Sequence, residues 1–294
     1  MLWYWLAIAA GAVWAVGNVI DKNIIDRHIR NPLSVIMLGA PLNLIFGAAV
    51  WAFQGGSLPR NILYGGLIIG ALNFFAVMLY FKGLKVEEAS RVVPMIYVAP
   101  IFVLILAALL LGERAGAQGY AGVIMVIAGA VLISFRKVSG ILKRSDAALM
   151  MVLAGFIWAI IDVWTKWATG LADYVLIISA VYLGAGLAGL SLWAKKSYRD
   201  DFRGDVSGPK PVLLVFSSFS IAFVGWLMYI RALTGGLVSL VVGLVSVQPL
   251  FVLFYTTVLG KVMPQIVKED SSGGSFWIKL VATLLILGGV YLIG

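Results

Sequence analysis

Asp162 stands inside the apolar stretch 147–168, where an unscreened carboxylate is conspicuous. A charge at that depth of a hydrophobic helix costs a few kcal/mol even on translocon-derived scales, which makes it a functional candidate by default. Its chemistry would be proton coupling or the binding of a polar group. Lys166 lies four residues on, on the same helical face, so a structural Asp162–Lys166 ion pair is an equally open reading. Trp158, one turn before Asp162, places an aromatic wall beside the acid, suited to an apolar or cationic portion of a substrate. Trp14 and Asn18 repeat that spacing in the first apolar run. Asn73, Tyr80, Tyr97, Tyr229 and Gln248 add polar groups at similar depth in other runs. Helix-to-helix packing and hydrogen bonding is the rival role for all of these.

Other chemistries lack material. The chain has no cysteine and one histidine, His28, which removes disulfides, thiolate nucleophiles and zinc clusters. No spaced pair of intramembrane acids offers an aspartyl dyad or metal site, so catalytic and metal-binding residues are expected to be none, and no cofactor is implied. A pore is disfavoured because no ring of charges marks a filter. The net charge of +9 does not form one basic stripe, so nucleic acid is not expected as a partner.

The elements that must position these residues follow from composition. Hydrophobic residues are 62% and charged residues 12% of the 294 positions, so lipid rather than water is the main solvent. Roughly 20 apolar residues span a bilayer as a helix, and ten such spans fit: 3–21, 32–53, 61–81, 88–111, 117–135, 147–168, 174–194, 211–231, 236–260 and 275–294. The first reads as a retained helix, lacking the basic start and small-residue cleavage site of a leader. One side of the membrane receives eighteen of the 22 basic residues, in the gaps or in the span ends that border them. The positive-inside rule makes that side cytoplasmic and leaves both termini outside.

The chain also resembles itself. Residues 10–22 match 154–166 at six of thirteen places, including Trp14 with Trp158 and Lys22 with Lys166. Asn18 falls on Asp162. Residues 90–104 align with 239–253, setting Pro100 on Pro249 and Pro94 on Gly243, and Tyr80 falls on Tyr229. Matched Trp, Lys and Pro in chain order argue for duplication. The expected architecture is an all-α integral membrane protein of ten transmembrane helices in two five-helix repeats, 1–138 and 147–294, joined by a basic linker, 139–146. An odd helix count inverts the second half, which implies a site near the midplane between the halves. A proline inside a span frees the carbonyl four residues earlier, so Pro94, Pro100, Gly243 and Pro249 are candidate hinges or kinks. Gly66-x-x-x-Gly70 reads as a packing face, and Trp3, Trp5, Trp51, Trp193 and Trp277 as an aromatic belt. Lys82, Arg91 and Arg231 read as interfacial anchors.

The Gly-x-x-Trp-Ala helix openings, the proline-containing fourth and ninth spans, and Leu111-Gly112-Glu113-Arg114 followed by a glycine-rich helix resemble the EamA-type branch of the drug/metabolite transporter superfamily. The resemblance covers essentially the whole chain. It implies a ten-helix carrier that exports or exchanges small metabolites by alternating access, with a central cavity walled by both halves. Two departures stand out: Leu259-Gly260-Lys261 replaces a second Leu-Gly-Glu, and the charge bias puts the termini outside where the family keeps them in the cytoplasm. An amino acid or related compound is the favoured substrate, because few buried basic residues are present to hold a phosphate. A lipid-head-group flippase and a non-transporting receptor or scaffold are the alternatives. The partners are the lipid bilayer and a small molecule, with monomer and homodimer both open.

Overall fold

The computed structural model describes residues 2–86, 96, 98–134, 146–262 and 274–294. Among them the chain is helical: α1 (Leu2–Arg27), α2 (Pro32–Gln54), α3 (Arg60–Val86), α4 (Ala99–Leu106), α5 (Ala117–Ser134), α6 (Asp146–Thr169), α7 (Tyr174–Leu190), α8 (Lys196–Asp205), α9 (Pro209–Leu233), α10 (Val238–Val245), α11 (Gln248–Val262) and α12 (Gly274–Ile293). Seven segments are long and apolar enough to cross a membrane: α1, α2, α3, α6, α7, α9 and the α10–α11 run. Three shorter apolar helices, Ala99–Leu111, Ala117–Leu132 and Leu280–Ile293, border residues outside the description. Phe53, Leu109, Leu213 and Tyr291 are among many large apolar side chains on the outer surface, as a lipid solvent requires.

The helix ends follow local chemistry. Asn31 caps α2 by accepting from Leu33 N at 3.1 Å, with Pro32 opening the helix, and Asp173 caps α7 through Val175 N at 2.8 Å. Each satisfies a backbone donor that the first turn leaves unpaired. After α4 a π turn, Ala107–Leu111, ends at Gly112, whose φ of 65° is left-handed. A glycine adopts that conformation without a Cβ clash.

Several expected boundaries shift. α1 runs through Asp21 to Arg27 and α3 through Lys82 to Val86; both were expected to stop at their first lysine, yet a charge at a helix end does not break the backbone ladder. The gap 195–210 contains α8, an amphipathic helix. Its Phe202 packs against Trp193 with ring centroids 4.9 Å apart, while Lys196, Asp200 and Arg203 are exposed. Asp205 ties it to α2 by accepting from Asn31 N at 2.6 Å and Ser34 Oγ at 3.1 Å. The proline kinks become helix starts. Pro100 lies in the first turn of α4, and the expected single span 236–260 is divided at Ser246–Val247 just before Pro249. A first-turn proline loses nothing, because its missing N–H has no intrahelical acceptor there. Gly243 sits inside α10, where a Cβ would lie 2.6 Å from Val123 of α5. Pro94, like Arg91 and nearly all of the linker 139–146, lies outside the described residues.

α1 packs on α9 and α6 on α3, α2 on α7, and α5 on α12. Small residues allow the close approaches. A Cβ on Gly70 would fall 2.0 Å from the Val181 carbonyl, and one on Gly66 2.7 Å from the Ala180 methyl, so Gly66-x-x-x-Gly70 is the contact face of α3 for α7.

Candidate functional site

The helices enclose a cavity of about 330 Å³, enough for a small metabolite. On α1, α2, α3 and α7 its lining residues, from Trp14 to Asp21, Ile36 to Asn43, Asn73 to Phe81 and Val181 to Gly189, lie in the half nearer the turn 28–31 and the connection that holds α8. The deeper wall comes from Trp158 and Asp162 of α6 and from Trp226 and Tyr229 of α9. Pro100, Val245, Ser246 and Gln248 close one side where α4 begins and where α10 gives way to α11.

Aromatic rings form much of the wall. The Trp14 ring stands 5.4 Å from Tyr229 and 6.1 Å from Trp226, and Trp226 lies edge-on to Tyr229 at 5.7 Å. Opposite, Tyr80 and Trp158 are 6.1 Å apart. Both indole N–H groups have fixed partners. Trp14 Nε1 donates to the Ala222 carbonyl at 3.2 Å and Trp158 Nε1 to Asn73 Oδ1 at 3.1 Å. These anchors set the ring planes. Gly225 makes room for the first, since a Cβ there would meet Trp14 Nε1 at 2.3 Å.

Two carboxylates face the same space. Asp21 accepts from Ser218 Oγ at 2.5 Å. Asp162 lies beside the Tyr229 hydroxyl, but that hydroxyl, on a residue 2% exposed, reaches no partner with hydrogen-bond geometry. Among the described residues no Lys, Arg or His lines the cavity. The alternative Asp162–Lys166 pairing is not made: Lys166 Nζ instead donates to the carbonyls of Leu233 and Gly236 at 2.7 and 2.6 Å. The carbonyl that ends α9 and one in the turn after it are more accessible acceptors than an acid one turn away.

Glu113 completes that end of the molecule. Buried at 8% exposure, it accepts from Val238 N at 2.8 Å, Ser239 N at 3.2 Å and Ser239 Oγ at 2.9 Å. An acid from the first half of the chain thus caps α10 in the second half, which has no N-terminal cap of its own, and its charge favours the helix N-terminus.

Of the residues expected in the cavity, Trp14, Asn18, Asn73, Tyr80, Trp158, Asp162, Tyr229 and Gln248 line it; Tyr97 lies outside the described residues. Lys82 and Arg231 do not line it. Sequence reasoning passed over Asp21, Trp226, Ser218 and the walls from α2 and α7. Trp226 had a signal, being three residues before Tyr229 and so on its face. His28 sits in the turn after α1, where burial first, then Lys210 and Arg27, hold its pKa below the usual value.

Residues 1–135 match the family model of the EamA-like transporter family. That stretch is similar to an EamA-like unit, from a family of the drug/metabolite transporter superfamily. A solved structure titled "Crystal structure of protein" superposes with a TM-score of 0.71 over 99% of this chain and 94% of that one, at 20% identity, a likeness of fold. No curated protein matches the sequence. That likeness and the seven long apolar helices make this a multi-pass membrane protein.

Proposed function

We propose that the protein is a secondary transporter that moves a small organic metabolite, an amino acid or related compound, across the cell membrane by alternating access, in export or exchange. The observation that carries this is the cavity itself: a metabolite-sized space with polar groups at its depth, beyond which Glu113 and Lys166 tie chain segments together. Such a closure at one end is half of an alternating-access cycle. The pairing of α1 with α9, α6 with α3, α2 with α7 and α5 with α12 supports two inverted five-helix halves, 1–138 and 147–294, with the three shorter apolar helices completing ten spans. The basic residues of the α8 connection support a cytoplasmic placement for the open end.

The test is uptake and efflux by proteoliposomes across a metabolite panel, with and without a pH gradient, alongside a fluorescent lipid. Movement of at least one metabolite against a counter-gradient is expected. Lipid translocation without metabolite movement would overturn the reading in favour of a flippase. Asp162→Asn should change the response to the gradient; an identical response sinks proton coupling through this residue.

A further inference from the structure

Resting on the transport part of that reading, and narrowing its substrate from the amino acid itself to a related amine, we infer that the cavity selects an organic cation, an ammonium group carried on an apolar body, over the zwitterion or the anion of the same skeleton. Asp162 and Asp21 both face the space, and no basic side chain among the described residues lines it. Lys166, the cation nearest in sequence to Asp162, is bound to the Leu233 and Gly236 carbonyls at the closed end. A carboxylate entering this cavity would meet two acids and, among the described residues, no arginine or lysine to compensate its lost water. An ammonium would meet an acid, and the rings of Trp14, Trp158, Trp226, Tyr80 and Tyr229 line the same space with aromatic surface, which suits a cation on an apolar body.

The Tyr229 hydroxyl adds to this. It is buried and borders the cavity beside the Asp162 carboxylate. An ammonium held at Asp162 has a proton to offer its oxygen. The Trp14 and Trp158 indole N–H groups already have their own acceptors, so these two rings are not free donors. Among the described residues the ionisable acids that line the site face no basic partner there, the reverse of what a carboxylate or phosphate needs.

The experiment is isothermal titration calorimetry on the full chain in detergent with matched trios: phenethylamine, phenylalanine and 3-phenylpropionate, then tryptamine, tryptophan and indole-3-propionate. In each trio the amine is expected to bind at least about tenfold more tightly than the other two, a difference of about 1.4 kcal/mol. Asp162→Asn should weaken the amine about tenfold or more, with Asp162→Glu recovering part of the loss, and Tyr229→Phe should weaken it by a smaller factor. An amino acid or carboxylate binding as tightly as its amine overturns the inference, as does an unchanged amine affinity in Asp162→Asn or no binding by either amine. Should Asp162→Asn not fold, the order within the wild-type trios decides. Failure of the transport reading looks different: amines bind, yet nothing in the panel crosses a liposome membrane. Carboxylates that both bind and cross leave transport intact and remove the cation preference.

Discussion

Identical residues at equivalent positions can have different work. Lys22 and Lys166 are matched in the repeat, yet Lys22 is exposed while Lys166 is held by two carbonyls. Asp162 was conspicuous because a charge inside an apolar run stands out, whereas Asp21 closed the expected span 3–21 at its edge, where a charge draws no notice. Glu113 belongs to a recognisable Leu-Gly-Glu motif, but nothing local announces that its acceptors serve α10, 125 positions away along the chain. Removing it strands three buried donors. Glu113→Ala should lower stability by about 1–3 kcal/mol and Ser239→Ala by about 0.5–1.5 kcal/mol, read as apparent melting temperature in detergent. Equal stability of Glu113→Ala and wild type would show that the cap contributes nothing.

Helices announced their cores better than their ends. Hydropathy scanning counts apolar side chains, so it cut α1 and α3 at their first lysine and missed α8, whose ten residues are mostly polar. It also joined α10 to α11, because the break at Ser246–Val247 depends on backbone hydrogen bonding, which composition does not record. The carbonyl of Val245 meets Gly11 of α1 there, so close that a Cβ would lie 2.9 Å from it. Helix contacts of this kind tolerate no added volume. Gly70→Val would drive a side chain into the Val181 carbonyl of α7, whereas Gly204→Val in α8 meets nothing within 4 Å. The first is expected to lose about 1–3 kcal/mol or more and to yield little folded protein on size-exclusion chromatography, the second to behave as wild type. Indistinguishable profiles would mean that α3 and α7 are not packed as described.

For the molecule as a whole, orientation is open to a direct test because the chain has no cysteine of its own. Gly116→Cys and Gly204→Cys place single thiols at exposed positions on opposite sides of the proposed membrane. With the basic side cytoplasmic, a membrane-impermeant maleimide should label the first in intact cells and the second only after permeabilisation. The reverse pattern would put both termini in the cytoplasm and turn the cavity to face outward.

Composition and spacing were sufficient for the helical class, for most of the spans, and for eight residues that prove to line one cavity, because lipid forces apolar length on every span and makes buried polar groups rare enough to notice. The tertiary structure alone decided which polar groups share a space. It set Asp21 beside Ser218, turned Lys166 from Asp162 to the Leu233 and Gly236 carbonyls, brought α2 and α7 into the wall, and set the Tyr229 hydroxyl beside Asp162. Those are contacts between helices far apart in the chain, and periodicity along one helix reports which face is polar without saying what that face meets.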